Sequence, residues 1–143
     1  MRPGAVTIAD AIPAHFAAVI AIEREAGGQS LVALTEGHAL QEALNRGHWL
    51  AVALEGDAVV GWIWFTVELT GGENVGRIFR VAVSRERHRR GVGRALVEHA
   101  RDVLRERHCT RVRLTIDGGD EGARAFFAAT GFALDAIAME SPL

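Results

Sequence analysis

Val81-Ala82-Val83-Ser84-Arg85-Glu86-Arg87-His88-Arg89-Arg90-Gly91-Val92-Gly93-Arg94-Ala95-Leu96 is the stretch whose reading decides the fold. It opens with alternating small apolar residues suited to a strand. An arginine-rich turn holding Gly91 and Gly93 follows, and then Val92, Leu96, Ala100 and Val103 recur at helical spacing. The pattern predicts a strand, a tight turn and a helix. A helix N-terminus behind a glycine turn carries a partial positive charge and backbone N–H groups without partners, so it suits phosphate oxygens. Seven arginines between Arg77 and Arg94 face one acid, Glu86, a local charge of +6 with His88 neutral. The expected ligand is a polyanion.

Around this stretch the chain is acidic. Its 143 residues carry a net charge of −2, so everything outside residues 77–94 sums to −8. A compact basic patch on an acidic body does not suit a nucleic-acid-binding surface. At 49% hydrophobic and 24% charged residues, the composition is that of a globular protein, and the length suits a single domain spanning 1–143. All sixteen basic residues are arginine, and tyrosine is absent, which removes one common catalytic acid. Cys109 is the only cysteine, so no internal disulfide can form; a reducing, cytoplasmic setting is expected. No signal-peptide pattern opens the sequence and no apolar run reaches the length of a membrane span, so no membrane partner is expected.

Taken in order, Val6-Thr7-Ile8 suits a short first strand, and Asp10 is the expected cap of a helix whose Ile12, Phe16, Val19, Ile20 and Glu23 share one face, ending near Gly27-Gly28. Residues 35–46 predict a second helix, with Leu40 and Leu44 inward and His38 and Glu42 in solvent. His48–Leu54 and Ala58–Val67, split by Glu55-Gly56-Asp57, read as an antiparallel hairpin. Trp62 and Trp64 alternate with Ile63 and Phe65, so both faces are apolar; core packing is favoured for the tryptophans over a substrate groove. Glu68–Gly76 reads as a loop around Gly71-Gly72, followed by a strand over Arg77–Val83. After the long helix, Arg111–Ile116 alternates as a strand, Asp120 caps a short helix carrying Phe126 and Phe127, and Phe132–Met139 supplies a last strand or two. The order βααβββαβαβ predicts a mixed α/β sheet with helices on both faces.

Two motifs in this order make the chain resemble the GNAT superfamily of N-acetyltransferases, which move an acetyl group from acetyl-CoA to an amine. His88-Arg89-Arg90-Gly91-Val92-Gly93, after Val81 and Val83, is similar to that family's Arg/Gln-x-x-Gly-x-Gly/Ala phosphate turn. Asp120, Ala123, Phe127, Gly131 and Phe132 follow the spacing of its Asn-x-x-Ala-x-x-x-Tyr-x-x-x-Gly-Phe tail. A dinucleotide fingerprint would want a third glycine near position 96, which is Leu96, and an early rather than mid-chain position. The resemblance implies a mostly antiparallel sheet with a splayed central strand pair, acetyl-CoA as co-substrate and no metal. It implies that the amides around Arg89–Arg94 take the pyrophosphate, and that the backbone of Val81, Ala82 and Val83 holds the pantetheine arm. Val92, Gly93, Asp120 and Phe127 complete the implied cofactor set. A backbone N–H near Val81 would stabilise the oxyanion.

Three residues depart from that pattern. His88 stands for Arg or Gln, Asp120 for Asn, and Phe127 for the tyrosine that protonates the departing thiolate in many relatives. Ser84, His88 and Cys109 are the remaining polar candidates for that proton, beside solvent. The attacking amine must itself lose a proton. Glu68 and Glu73 are the first candidates for base or acceptor anchor, followed by His48 and His38. The expected acceptor is a small-molecule or peptide amine, with homodimerisation open. The rival reading is a non-catalytic acyl-CoA-binding regulator, with a nucleotide-binding module more remote.

Overall fold

The computed structural model describes residues 5–26, 37–116, 121–133 and 141–142. Five strands form one sheet in the order β1-β2-β3-β4-β5: β1 (Thr7–Asp10), β2 (Trp49–Glu55), β3 (Ala58–Thr70), β4 (Glu73–Val83) and β5 (Arg111–Leu114). The first four are antiparallel and β5 joins β4 in parallel, the mixed sheet expected from the element order. Helices α1 (Phe16–Glu25) and α2 (Gly37–Asn45) pack on one face; α3 (Val92–Glu106) packs on the other, where α4 (Glu121–Ala129) contributes Phe127 to the same cluster.

Strand alternation splits the core between the faces. Leu50, Val52 and Trp62 join Phe16, Val19, Ile22 and Leu40 under α1 and α2, whereas Ala51, Ala53, Ile63 and Phe65 meet Leu96, Val97, Ala100 and Leu104 of α3. Trp62 is a buried core residue, as its alternation with Ile63 predicts. Burying a side chain such as Leu96 contributes about 1.5–3 kcal/mol. Two glycines set the spacing of α3 on the sheet: a Cβ on Gly76 would stand 2.5 Å from Leu104, and one on Gly61 would stand 3.1 Å from Leu96 and Val92.

Three sequence expectations change. Glu68–Gly76 is not a loop: pairing continues from Val67↔Gly76 to Thr70↔Glu73, and only Gly71-Gly72 turns. Both glycines have positive φ, +60° and +83°, the two-residue geometry that matches strand twist, so the ribbon keeps its ladder beyond the core. Asp10 caps no helix. It ends β1 opposite Ala51, while Pro13 opens a 3₁₀ turn and the Ile12 N–H donates to His15 Nδ1 at 3.1 Å. Strand character in β5 stops at Leu114 rather than Ile116. The expected helix end at Gly27-Gly28, the Asp120 cap and most of Phe132–Met139 lie outside the described residues.

Candidate active site

The strand–turn–helix junction forms as its sequence predicts. Ser84 N–H donates to the Val60 carbonyl at 2.8 Å, Arg85–Arg87 make a 3₁₀ turn, and Gly91 opens α3. The two glycines answer to different demands. Gly91 has φ +80°, a left-handed backbone, although a Cβ would meet nothing within 4 Å. Gly93 would place a Cβ 2.9 Å from the Phe126 ring of α4. From Arg89 to Arg94 no backbone N–H has an acceptor among the described residues; the first returning bond is Ala95 N–H to Gly91 O at 3.0 Å. That is a row of free donors at the positive end of a 15-residue helix.

The arginines divide into anchors and free cations. Arg87 forks onto Glu55 at 2.9 and 2.8 Å, and these hydrogen bonds are the main reason the Glu55 carboxyl sits below its ordinary range. Arg85 N–H donates to Glu25 Oε1, and its guanidinium donates to the Glu25 carbonyl at 3.1 Å. Arg94 donates to the Ala129 carbonyl of α4 at 3.0 Å. Arg89 and Arg90 make no side-chain hydrogen bond or close ion pair among the described residues, Arg90 acting on Glu55 through its charge alone, and their donors are available to a ligand. The turn is thus pinned to α1 by Glu25 and to the β2–β3 hairpin by Glu55, contacts the sequence does not disclose.

Before the turn, the sheet opens. Parallel pairing of β4 with β5 ends at Ile78↔Leu114, while β4 runs on to Val83, so that about 16 Å of its edge has no strand partner among the described residues. The Ser84–Val60 bond fixes which groups line that edge. In an antiparallel ladder alternate residues turn their N–H and C=O to the same neighbour, so Ala82 and Arg80 face β3 and Val81 and Val83 face the opening. His88 Nε2 lies 2.9 Å from the Val83 carbonyl, which can only accept, so that nitrogen carries the proton. Val81 N–H, Val81 C=O and Val83 N–H have no partner among the described residues and can meet a ligand.

On the α1 face, a bulge shapes the other side of the opening. Register shifts between Trp64↔Arg80 and Phe65↔Ile78, so Phe79 is the extra residue. Its ring stacks on His48 at 5.4 Å and lies 4.8 Å from Trp64, on the same side as Arg80. Trp64 Nε1–H donates to His48 Nδ1 at 3.0 Å, which occupies the lone pair a general base would need. Burial first, then the charge of Arg46, holds His48 below its ordinary pKa, with Glu68 pulling the other way. Beside them Glu23 of α1 is 1% exposed: its Oε1 accepts from Trp62 Nε1 at 3.0 Å and Arg80 Nε at 2.6 Å, while Oε2 is buried without a partner.

Residues 17–132 match the acetyltransferase (GNAT) family. This chain belongs to that family. A mycothiol acetyltransferase from Beutenbergia cavernae is 38% identical over 85 residues, 59% of this chain. The chain spans only 27–31% of the length of the curated mycothiol acetyltransferases it matches. Two solved structures share the GNAT fold. A transcriptional regulator from Bacillus halodurans C-125 aligns at TM-score 0.82 and 23% identity, covering 97% of this chain and all of the other. An aminoglycoside acetyltransferase from an uncultured soil metagenomic sample, solved with sisomicin, aligns at 0.79 and 18%, with 96% of each chain covered.

For this GNAT chain the structure brings together Val81, Ala82, Val83, His88 and the amides of Arg89–Arg94, and separates Glu68 and Glu73 from them. Glu73 accepts from Thr110 Oγ1 at 3.0 Å and pairs with Arg111 at 2.9 Å, closing the far end of the β4–β5 pair about 26 Å along β4 from Val81. Glu68 stands opposite Val75 and pairs with Arg77 at 3.5 Å. His38 is exposed on α2. Ala82 is buried under α1 and α2, so it serves the opening only through its neighbours' backbone. Phe127 is buried against Phe126 and Phe132, at ring distances of 4.9 and 5.4 Å. Cys109 packs against the α3 core, where burial raises its thiol pKa. Asp120 lies outside the described residues. Among those residues no cluster of three metal-ligating side chains occurs, and no helix is long and apolar enough to cross a membrane. Spacing alone does not single out the Glu23–Arg80 pair, although Glu23 falls within an apolar stripe, where a carboxylate requires a buried partner.

Proposed function

We propose that this chain transfers the acetyl group of acetyl-CoA to a primary amine by direct attack on the thioester. The observation that carries the reading is the continuity of two rows of free backbone groups. Val81 and Val83 line the open edge of β4, and the amides of Arg89–Arg94 follow within one turn. A ligand with an amide-bearing arm and a pyrophosphate would satisfy both rows, with Arg89 and Arg90 screening the phosphates. Gly91, Val92, Gly93 and Arg94 shape the pyrophosphate end, and Asp120 and Phe127 complete the proposed cofactor set by family likeness.

In this scheme the amine nitrogen bonds to the thioester carbon and the C–S bond breaks. The thiolate leaves as coenzyme A after taking a proton, and the amine loses one. Val81 N–H is the assigned oxyanion donor. Phe127 has no proton to give, so the thiolate takes its proton from solvent. Glu73 is held in its own ion pair far from the edge, and Glu68 is paired with Arg77, whose guanidinium lies 5.3 Å from the Phe79 ring, and acts on His48 through its charge. Amine deprotonation is therefore assigned to a water in the opening, with Glu68 as the nearer of the two carboxylates. We take residues 1–143 as a single cytoplasmic domain working without a metal; a homodimer is compatible with this scheme.

Phe127 also favours a second reading, an acyl-CoA-binding regulator without turnover. Isothermal titration with acetyl-CoA and a thiol-release assay over a panel of amines separate the two. Binding with amine-dependent thiol release supports transfer, and binding without release on any amine supports the regulator. No binding of acetyl-CoA overturns both.

A further inference from the structure

Arg80 is held differently from the other arginines around the opening. It follows directly after the bulge, one residue before Val81, and its side chain is 27% exposed on the α1 face. Among the described residues its side chain makes one bond, from Nε to a Glu23 oxygen that also takes the Trp62 indole. The contact is one-point: the guanidinium does not turn its second edge to Glu23, whose Oε2 is left without a donor. Among the described residues neither terminal amino group of Arg80 has an acceptor, and neither is a buried unpaired atom. A guanidinium clamped by a buried carboxylate and presenting its fork outward is already oriented, so little side-chain freedom is lost when an anion binds. Arg77, the next arginine along β4, is instead engaged by Glu68 and Phe79.

We propose that Arg80 is the acceptor-recognition residue, and that the acceptor is an amine carrying an anionic group, carboxylate or phosphate, a few bonds from its nitrogen. The inference rests on the acetyl-transfer reading above. The anion docks on the Arg80 fork, and the adjacent Val81 N–H marks where the thioester carbonyl sits, so the acceptor nitrogen is delivered between them. Trp64, the cross-strand partner of Arg80, and Phe79 give the rest of the acceptor an aromatic wall. Glu23 is a positioning residue, acting through Arg80.

Two pairs of amines test this with acetyl-CoA in a thiol-release assay: L-leucine against isoamylamine, and O-phosphoethanolamine against ethanolamine. Each pair differs by one anion, and the pair that responds identifies carboxylate or phosphate. The expected result is a kcat/KM at least about tenfold higher for the anionic member of one pair, carried in KM, the scale of a charge-assisted hydrogen bond. Removing Arg80 alone would strand the buried Glu23 carboxylate, so the variant is the neutral pair Glu23→Gln with Arg80→Gln. It should bring the ratio to within about twofold of one while the acetyl-CoA Kd stays within about twofold, because Arg80 turns its backbone to β3 and not to the cofactor edge. Arg80→Lys alone, which keeps the charge and loses the fork, should give an intermediate ratio. A ratio near one in the wild type, a preference that survives in the double variant, or acetyl-CoA binding with none of the four amines acetylated overturns the proposal. Failure to bind acetyl-CoA sinks the transfer reading itself.

Discussion

The two halves of β4 share one strand and differ in what their edges meet. From Glu73 to Ile78 the strand is flanked by β3 and β5, and Gly76 lets Leu104 press onto it. From Phe79 to Val83 it keeps β3 but loses β5, and a bulge turns Phe79 and Arg80 to the α1 side. The closed half is stabilised by pairing and packing. The open half keeps backbone groups with no partner among the described residues, and the elements around them are anchored: Arg85 to Glu25, Arg87 to Glu55, Arg80 to Glu23. Hydrogen-bonding capacity withheld from the fold is available to a ligand.

The comparison can be broken at either half. The largest effect is expected at Gly91. Gly91→Val forces a β-branched residue into the left-handed region, or shifts the turn so that the amides of Arg89–Arg94 no longer line up. Isothermal titration should show the acetyl-CoA Kd rising about 10–100-fold, the scale of one to three kcal/mol of backbone strain. A Kd within twofold would detach the turn from the cofactor.

In the closed half, Gly76→Val should act on stability instead. Its Cβ would stand 2.5 Å from Leu104, an overpacking that costs about 1–3 kcal/mol in urea unfolding. An equal loss of cofactor affinity at that position would mean that the halves are not independent.

Phe127→Tyr is expected to be mild. The ring is enclosed by Phe126 and Phe132, so the added hydroxyl needs a partner and should cost about 1 kcal/mol of stability. With solvent able to protonate a thiolate, turnover should change by less than about threefold. A large rise in kcat would show instead that the missing tyrosine limits the chemistry.

The smallest effect belongs to His48. Its pKa in the fold lies below the ordinary value near 6.5, so the unfolded chain binds more protons in that window. The associated stability is present above about pH 6.5 and is lost as pH falls through the folded pKa, where protonation also ends the Trp64 bond. A melting-temperature series from pH 7.5 to 5 should decline, and His48→Gln should flatten part of that decline. Identical curves would show that His48 is not held neutral by its burial.

Much of the fold is legible from spacing. Alternation at Trp62, Ile63, Trp64 and Phe65 anticipates a strand covered on both faces, and the Gly91-Val92-Gly93 turn anticipates the helix start, because period and turn chemistry are local. The Glu68–Gly76 stretch misleads for a local reason as well. Its polar residues resemble a loop, yet the ladder beyond Val67 is sustained by backbone pairing across Gly71-Gly72. Glu73 looks free in sequence because its partners, Thr110 and Arg111, lie far along the chain. The seven arginines read as a phosphate cluster, while Arg77, Arg80, Arg85, Arg87 and Arg94 hold protein groups.

The sequence by itself determined the order of the described elements, the glycine turn before α3 and the family, since each depends on residues close together in the chain and on the backbone preferences of glycine and valine. Only the tertiary structure decided where β5 leaves β4, that Phe79 bulges, and that a glutamate from an apolar helical stripe clamps an arginine beside the opening. Those features depend on register and on contacts between segments distant in sequence, and no local pattern encodes them.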